Sequence, residues 1–378
     1  MIRARPFAHR LLVPLVVALL TTSACAGSST KEDSSAKSPK VTAGSKVIPP
    51  ASTSRSTPST SGGSGPQTTA AVVPAATGSK VAAPGAYAVG TLEKTYIDRT
   101  RKTKMNGTAA EKPERTLPAL VLYPAQGTPG FETSQLNAEP KSGPWPLVVF
   151  SHGVTGTGHA YATTLRVFAS AGYVVIAPDY PLSKAGAEGN PTITDVAEQT
   201  RDIRFLIDQM LAATKATSTP LSGMIDPDRI GIAGHSLGAI TSLGAGFNAC
   251  CTDPRIRAVA EWAGVFFPLE SEGKVAPGSK GRPLLILHGD QDQTVRYPAG
   301  NAVYALLGPP KYFVTLPGAG HILPYIRGVG SPQSKVVTLT TIDFFDRYLK
   351  GDKTGIGRLH KVVTDAGRAN ATEQEDPS

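Results

Sequence analysis

From residue 85 onward, short apolar runs alternate with longer stretches whose apolar positions recur every three or four residues. The runs at 117–123, 145–151, 173–177, 230–233, 256–260, 284–287 and 312–316 stop at Gly, Pro, Asp or Ser and are predicted strands. Several are apolar at successive rather than alternate positions, as parallel strands buried on both faces require. The intervening stretches 161–171, 195–211, 237–247, 298–307 and 339–349 carry a helical period; in 195–211, Val196, Ile203, Ile207 and Leu211 fall on one face. Strands and helices alternating in this way predict an α/β fold, a doubly wound and mostly parallel sheet flanked by helices, in one domain over 85–352. Residues 353–378 are read as a polar C-terminal tail, with 371–378 expected to fray.

The pattern before residue 85 is different. Arg3, Arg5 and Arg10 precede an apolar run over 11–20, and Thr21-Thr-Ser-Ala-Cys25 follows. A basic start, a short apolar core and small residues predict a signal peptide at 1–24; the run is too short to span a bilayer, which takes about 20 residues. Thr22-Ser-Ala-Cys25 resembles the bacterial lipoprotein cleavage box, with Thr22 where Leu is usual. That resemblance implies that Cys25 is lipidated and holds the protein on the outer face of the cell membrane. The alternative is cleavage after Ala26, which would release a secreted protein. Residues 25–84, rich in Ser, Thr, Gly and Pro and nearly free of aromatics, cannot bury enough apolar surface to order themselves and are expected to be a disordered tether.

Charge follows the same division. Residues 1–80 hold 9 Lys and Arg against Glu32 and Asp33, leaving 29 basic and 27 acidic residues beyond. The basic excess therefore lies in the leader and tether rather than on a folded face, which argues against a nucleic-acid partner. With Cys25 set aside, the remaining cysteines are the adjacent Cys250 and Cys251. They form either a disulfide or two small buried apolar residues, and the second is favoured here. Their spacing suits no zinc site, and no metal is expected.

The chemistry concentrates in a few segments. Gly231-Ile-Ala-Gly234-His-Ser236-Leu-Gly238 leaves a predicted strand and opens a predicted helix, the Gly-x-Ser-x-Gly pattern of a sharp turn that lifts a serine hydroxyl clear of a sheet. A serine hydroxyl is a weak nucleophile at neutral pH and needs a histidine base oriented by an acid. His288, His321 and His360 lie downstream. His288 ends a strand and His360 lies beyond the last predicted core helix, whereas His321 sits in the Gly-rich segment 318–321 after a strand. Asp290 and Asp292 both follow the strand at 284–287, and Asp179 precedes the serine.

Leu120-Val-Leu-Tyr-Pro124, Pro146-Leu-Val-Val-Phe-Ser-His-Gly153, Gly172-Tyr-Val-Val-Ile-Ala-Pro-Asp179, the serine segment and Gly318-Ala-Gly-His321 together resemble the α/β-hydrolase superfamily over 85–352. The similarity is greatest to the branch of dienelactone hydrolases, chlorophyllases, platelet-activating-factor acetylhydrolases and cutinase-like polyester hydrolases. Its order of nucleophile, acid and base implies Ser236, Asp292 and His321, with Val295 behind the acid and Asp290 left as a turn former. His152-Gly153-Val154 resembles the loop that supplies one oxyanion donor, which implies the backbone N–H groups of Val154 and Leu237 as the pair, His152 and Gly153 shaping the turn. Trp262, Phe266 and Phe267 either line an acyl pocket or pack a loop onto the core. Dienelactone hydrolases proper carry Cys where Ser236 stands. The expected activity is cofactor-free hydrolysis of carboxylic esters; the rivals are transfer of the acyl group to an alcohol and a catalytically silent binding module.

Overall fold

The computed structural model describes residues 81–270 and 274–378. The signal peptide at 1–24, Cys25 and nearly all of the 25–84 tether lie outside the described residues. In chain order the elements are β1 (Ala88–Asp98), β2 (Arg115–Ala125), β3 (Gln135–Leu136), β4 (Trp145–Ser151), α1 (Ala162–Ser170), β5 (Val174–Pro178), α2 (Val196–Lys215), β6 (Ile225–His235), α3 (Leu237–Phe247), β7 (Ile256–Trp262), β8 (Leu284–Gly289), α4 (Pro298–Leu306), β9 (Lys311–Leu316), α5 (Leu323–Ile326), α6 (Pro332–Leu349), α7 (Gly355–Ala366) and β10 (Thr372–Asp376).

The strands form one sheet in the order β10-β9-β8-β7-β6-β4-β5-β2-β1-β3. From β9 to β5 all neighbours are parallel, and β2 joins β5 antiparallel. This is the α/β-hydrolase fold. Its successive apolar positions have a direct cause: Val148 and Phe150 of β4 enter one core cluster while Leu147 and Val149 enter the other, and Leu285 and Leu287 of β8 oppose Leu284 and Ile286 in the same way. Helices α1, α6 and α7 cover the first face and α2, α3 and α4 the second. The chain runs from β4 outward to β5 and then crosses back past β4 to β6, so the sheet changes direction between β4 and β6. In open α/β sheets the crevice at that reversal is where ligands bind.

Two sequence expectations are corrected here. Residues 353–378 are not a polar tail: α7 buries Leu359 and Val363 in the core, and its Arg358 pairs with Asp343 and Asp346 of α6 at 2.7 Å each. Nor does 371–378 fray, because β10 pairs with β9 from Thr372↔Thr315 to Asp376↔Lys311. Leu359→Ala is accordingly expected to lower the free energy of unfolding by about 2–4 kcal/mol in a urea titration, as for other buried Leu truncations; an unchanged midpoint would show the C-terminal helix to be dispensable. The second correction concerns Cys250 and Cys251, which are joined in a disulfide after α3 rather than standing as two separate buried thiols. Cys250 is exposed and Cys251 buried, so the pair straddles the surface instead of lying within the core.

Candidate active site

β6 ends at His235 and α3 starts at Leu237, leaving Ser236 to make the whole turn between them. Its φ is 57°, a left-handed backbone that costs a non-glycine residue roughly 1–3 kcal/mol. The neighbours hold it there. The Ser236 N–H donates to the Trp262 carbonyl at 2.9 Å, and the Ser236 carbonyl accepts the Ala239 and Ile240 N–H groups at 2.9 and 3.1 Å. A Cβ at Gly234 would strike the Gly238 carbonyl, and one at Gly238 would strike the carbonyls of Ser151 and His152. Only glycine at both positions lets β4, β6 and α3 close around the turn.

His321 follows β9 in a loop and brings its Nε2 to 2.8 Å from Ser236 Oγ. Its Nδ1 lies 2.6 Å from Asp292 Oδ2. The other Asp292 oxygen accepts the N–H groups of Thr294 and Val295 at 2.8 and 2.9 Å, which fixes the buried carboxylate with one oxygen free for the ring. Because a carboxylate accepts only, the ring hydrogen belongs on Nδ1 and the Nε2 lone pair faces the serine hydroxyl. A hydroxyl, an imidazole and a carboxylate from three loops therefore converge at the C-terminal ends of β6, β8 and β9, where the sheet order reverses.

The alternatives considered from sequence have other positions. Asp290 accepts the Gly318 N–H at 2.7 Å and closes a turn. Asp179 accepts the Gly158 N–H at 2.8 Å. His360 sits on the surface between Glu373 and Glu375. His288 donates Nε2–H to the Val295 carbonyl at 2.7 Å, bracing the turn that carries Asp292, and burial holds its pKa below the usual histidine value.

Two residues that sequence did not single out complete the local network. His235 Nε2 donates to the His321 carbonyl at 2.7 Å, so its Nδ1 is left to accept from the Tyr161 hydroxyl at 2.6 Å. The Tyr161 oxygen in turn accepts the Gly153 N–H at 3.3 Å. Burial drives the His235 pKa well below its ordinary value and raises that of Tyr161, and both stay neutral. The chain Gly153–Tyr161–His235–His321 thus ties the loop after β4 to the loop of the base. The position of His235 inside the Gly-x-Ser-x-Gly segment was the available signal; Tyr161 offered none, being one apolar position in a helical period.

Val154 and Leu237 come together in a small apolar cluster with Val196, Cys251, Leu269, Ile193 and Ile240. Leu237 is the first residue of α3, where an N–H has no carbonyl one turn earlier, and the Val154 N–H makes no backbone bond among the described residues. The Leu237 N–H lies at a helix N-terminus, which favours negative charge nearby. Of the two readings of the aromatic residues, core packing holds for Trp262. Trp262 is fully buried beneath the site, its ring 5.2 Å from that of Phe150 and 6.0 Å from that of Tyr325, and its indole N–H donates to Thr341. Its inward register on β7 makes it a core residue. Phe266 is half-buried against the α2–α3 side of the core, and Phe267 is exposed. Among the described residues no group of three His, Cys, Asp or Glu side chains is placed to hold a metal ion.

A profile of the dienelactone hydrolase family matches residues 134–321, the stretch from just before β3 to His321. A solved structure of a ferulic acid esterase from Streptomyces cinnamoneus superposes with a TM-score of 0.54 at 21% identity, covering 72% of this chain and 93% of its own, which shows a shared fold. Among characterised sequences, acyl-protein thioesterase 1 of Neurospora crassa is 25% identical over 193 residues, covering 46% of this chain and 79% of its own.

Proposed function

Since the chain belongs to the α/β-hydrolase superfamily and carries a dienelactone hydrolase family domain over residues 134–321, we propose that it is a serine-dependent carboxylic ester hydrolase acting through Ser236, His321 and Asp292. The observation that carries this reading is the unbroken relay from Asp292 through His321 to Ser236, at 2.6 and 2.8 Å. His321 Nε2 takes the Ser236 proton as Oγ attacks the ester carbonyl. The oxygen that gains charge is met by the N–H groups of Val154 and Leu237. His321 then returns its proton to the departing alcohol, and a water activated by the same nitrogen releases the acid. Asp292 keeps the ring in the required tautomer throughout and stabilises the imidazolium. No step calls for a cofactor.

Incubation with a fluorophosphonate is the direct test. One adduct on the peptide containing Ser236, with matching loss of p-nitrophenyl ester hydrolysis, is the expected result; an active protein that stays unlabelled there would overturn the assignment. Free acid as the product in the presence of added alcohol separates hydrolysis from acyl transfer.

We also propose that the enzyme works at the outer face of the cell membrane, held by a lipid on Cys25. The leader sequence supports this. A mature N-terminus whose mass shows a diacylated Cys25 is expected, and a mass matching cleavage after Ala26 would replace the anchor with secretion.

A further inference from the structure

β7 places Glu261 opposite Gly234 of β6, two residues before the serine. The side chain is completely buried. Its Oε2 accepts the Gly264 N–H at 2.8 Å, and among the described residues Oε1 has no hydrogen-bond partner. The carboxyl lies against the first turn of α3: a Cβ built on Gly264 would meet both Glu261 Oε2 and the Ala239 side chain, at 2.8 and 2.5 Å. What this bond closes is the turn 261–264, whose Trp262 carbonyl receives the Ser236 N–H. The same turn contains Ala263 at a φ of 50°, a second strained residue that the surroundings must hold in place.

The environment is hostile to charge. α3, from Leu237 to Phe247, has no ionisable side chain, the β8 neighbour is Ile286, and His235 beside Gly234 is neutral. The titratable group that feels a charge on Glu261 is Tyr325, whose hydroxyl is pushed up first by burial, then by Asp292 and then by Glu261. A buried carboxyl with one donor and no cation is pushed up to about 8.

We propose that Glu261 is a positioning residue for the Ser236 turn: as the neutral acid it holds the 261–264 segment whose carbonyl anchors the serine backbone. Ionised, it sets a negative charge beneath the N-terminus of α3, where the oxyanion needs positive potential. Glutamine reproduces the neutral acid, since its amide oxygen accepts the Gly264 N–H and it never ionises. This inference rests on Ser236 being the nucleophile.

Glu261→Ala is expected to lower kcat about 10- to 100-fold with little change in KM, the size of effect that small misplacements of a reacting group produce. Glu261→Gln is expected to restore kcat at pH 7 and, unlike the wild type, to keep it as pH rises past about 8. Stability gives a readout independent of activity. Between the ordinary glutamate value of 4.5 and about 8, the folded protein retains a proton that the unfolded chain has released, so wild-type stability falls with rising pH across that window. Glu261→Gln should therefore gain on the wild type in urea midpoints from about pH 5 to about pH 8 and level off above.

Wild-type kcat in Glu261→Ala, or an alkaline limb shared by wild type and Glu261→Gln, would overturn the proposal. If Glu261→Ala does not fold, the glutamine variant decides alone. A wild-type protein that neither hydrolyses esters nor takes up a fluorophosphonate would remove the Ser236 reading, and this inference with it, whereas labelling with no effect at 261 would remove this inference alone.

Discussion

Ser236→Ala is expected to reduce kcat/KM for p-nitrophenyl esters by at least about 10⁴-fold, equivalent to roughly 5.5 kcal/mol of lost transition-state stabilisation. The loss is large because the hydroxyl is the reacting atom; what survives is the contribution of binding and of the two N–H donors, which outlast removal of a triad member. The fold should be indifferent. Among the described residues the Ser236 hydroxyl bonds only to His321, and the strained backbone is held by main-chain bonds that alanine keeps, as Ala263 at a φ of 50° illustrates. Thermal midpoints close to wild type together with the kinetic loss are the expected pair. His321→Ala should fall to the same floor, and the double variant no lower, because the groups act as one unit. Turnover within tenfold of wild type in Ser236→Ala would refute the mechanism.

The largest stability effect is expected at Arg115, far from the reacting atoms. This fully buried guanidinium, on the first residue of β2, bonds both oxygens of Asp195 at 3.1 and 2.8 Å and both of Asp202 at 2.8 and 2.5 Å. Arg101 adds a bond to Asp202 at 2.7 Å. Two buried carboxylates thus share a cation whose flat fork matches them, and burial has already raised the Asp195 pKa against the pull of Arg115. Arg115→Ala leaves these carboxylates underpaired, which costs about 3–5 kcal/mol, a large part of an ordinary domain's stability. Arg115→Lys should recover little of it, since one ammonium cannot replace two bidentate contacts. In the alanine variant the Asp195 carboxyl is raised further, so the deficit should shrink on acidification, when that group enters the fold as the neutral acid. Urea titrations at pH 7 and at about pH 5 measure both effects, and equal deficits at the two values would show that Asp195 stays charged without its partner.

Arg115 also reaches the site. Asp195 precedes α2, whose Gln199 donates to Ser183 Oγ at 2.9 Å and accepts the Thr241 hydroxyl of α3 at 2.7 Å. The Ser183 carbonyl accepts the Thr155 N–H, next to Val154. Loosening α2 should therefore loosen the loop after β4 as well, and lower activity below what unfolding alone explains.

Much of this was legible in the residues themselves. The strand-helix alternation and the Gly234-His-Ser236-Leu-Gly238 turn are local matters: a sharp turn needs glycines at set spacings, and a strand buried on both faces needs an unbroken apolar run; His321 and Asp292 over Asp290 came from the order that the family resemblance implies. Tertiary structure alone decided the rest, because each such feature depends on a partner distant in sequence. β10, Thr372-Glu-Gln-Glu-Asp376, has no apolar pattern and exists because the edge of β9 offers its backbone groups. α7 sets Ile356, Leu359, Val362, Val363 and Ala366 against the core at helical spacing, a stripe present in the sequence that the polar composition around it masked. Strand parity sends Trp262 into the core and Glu261 toward α3, and one residue of register would exchange them. Residue types and spacing determined which groups could react; the packing of helices onto the two faces of the sheet decided which of their neighbours lost water, and with it which carboxyl, hydroxyl and imidazole groups are held neutral around Ser236.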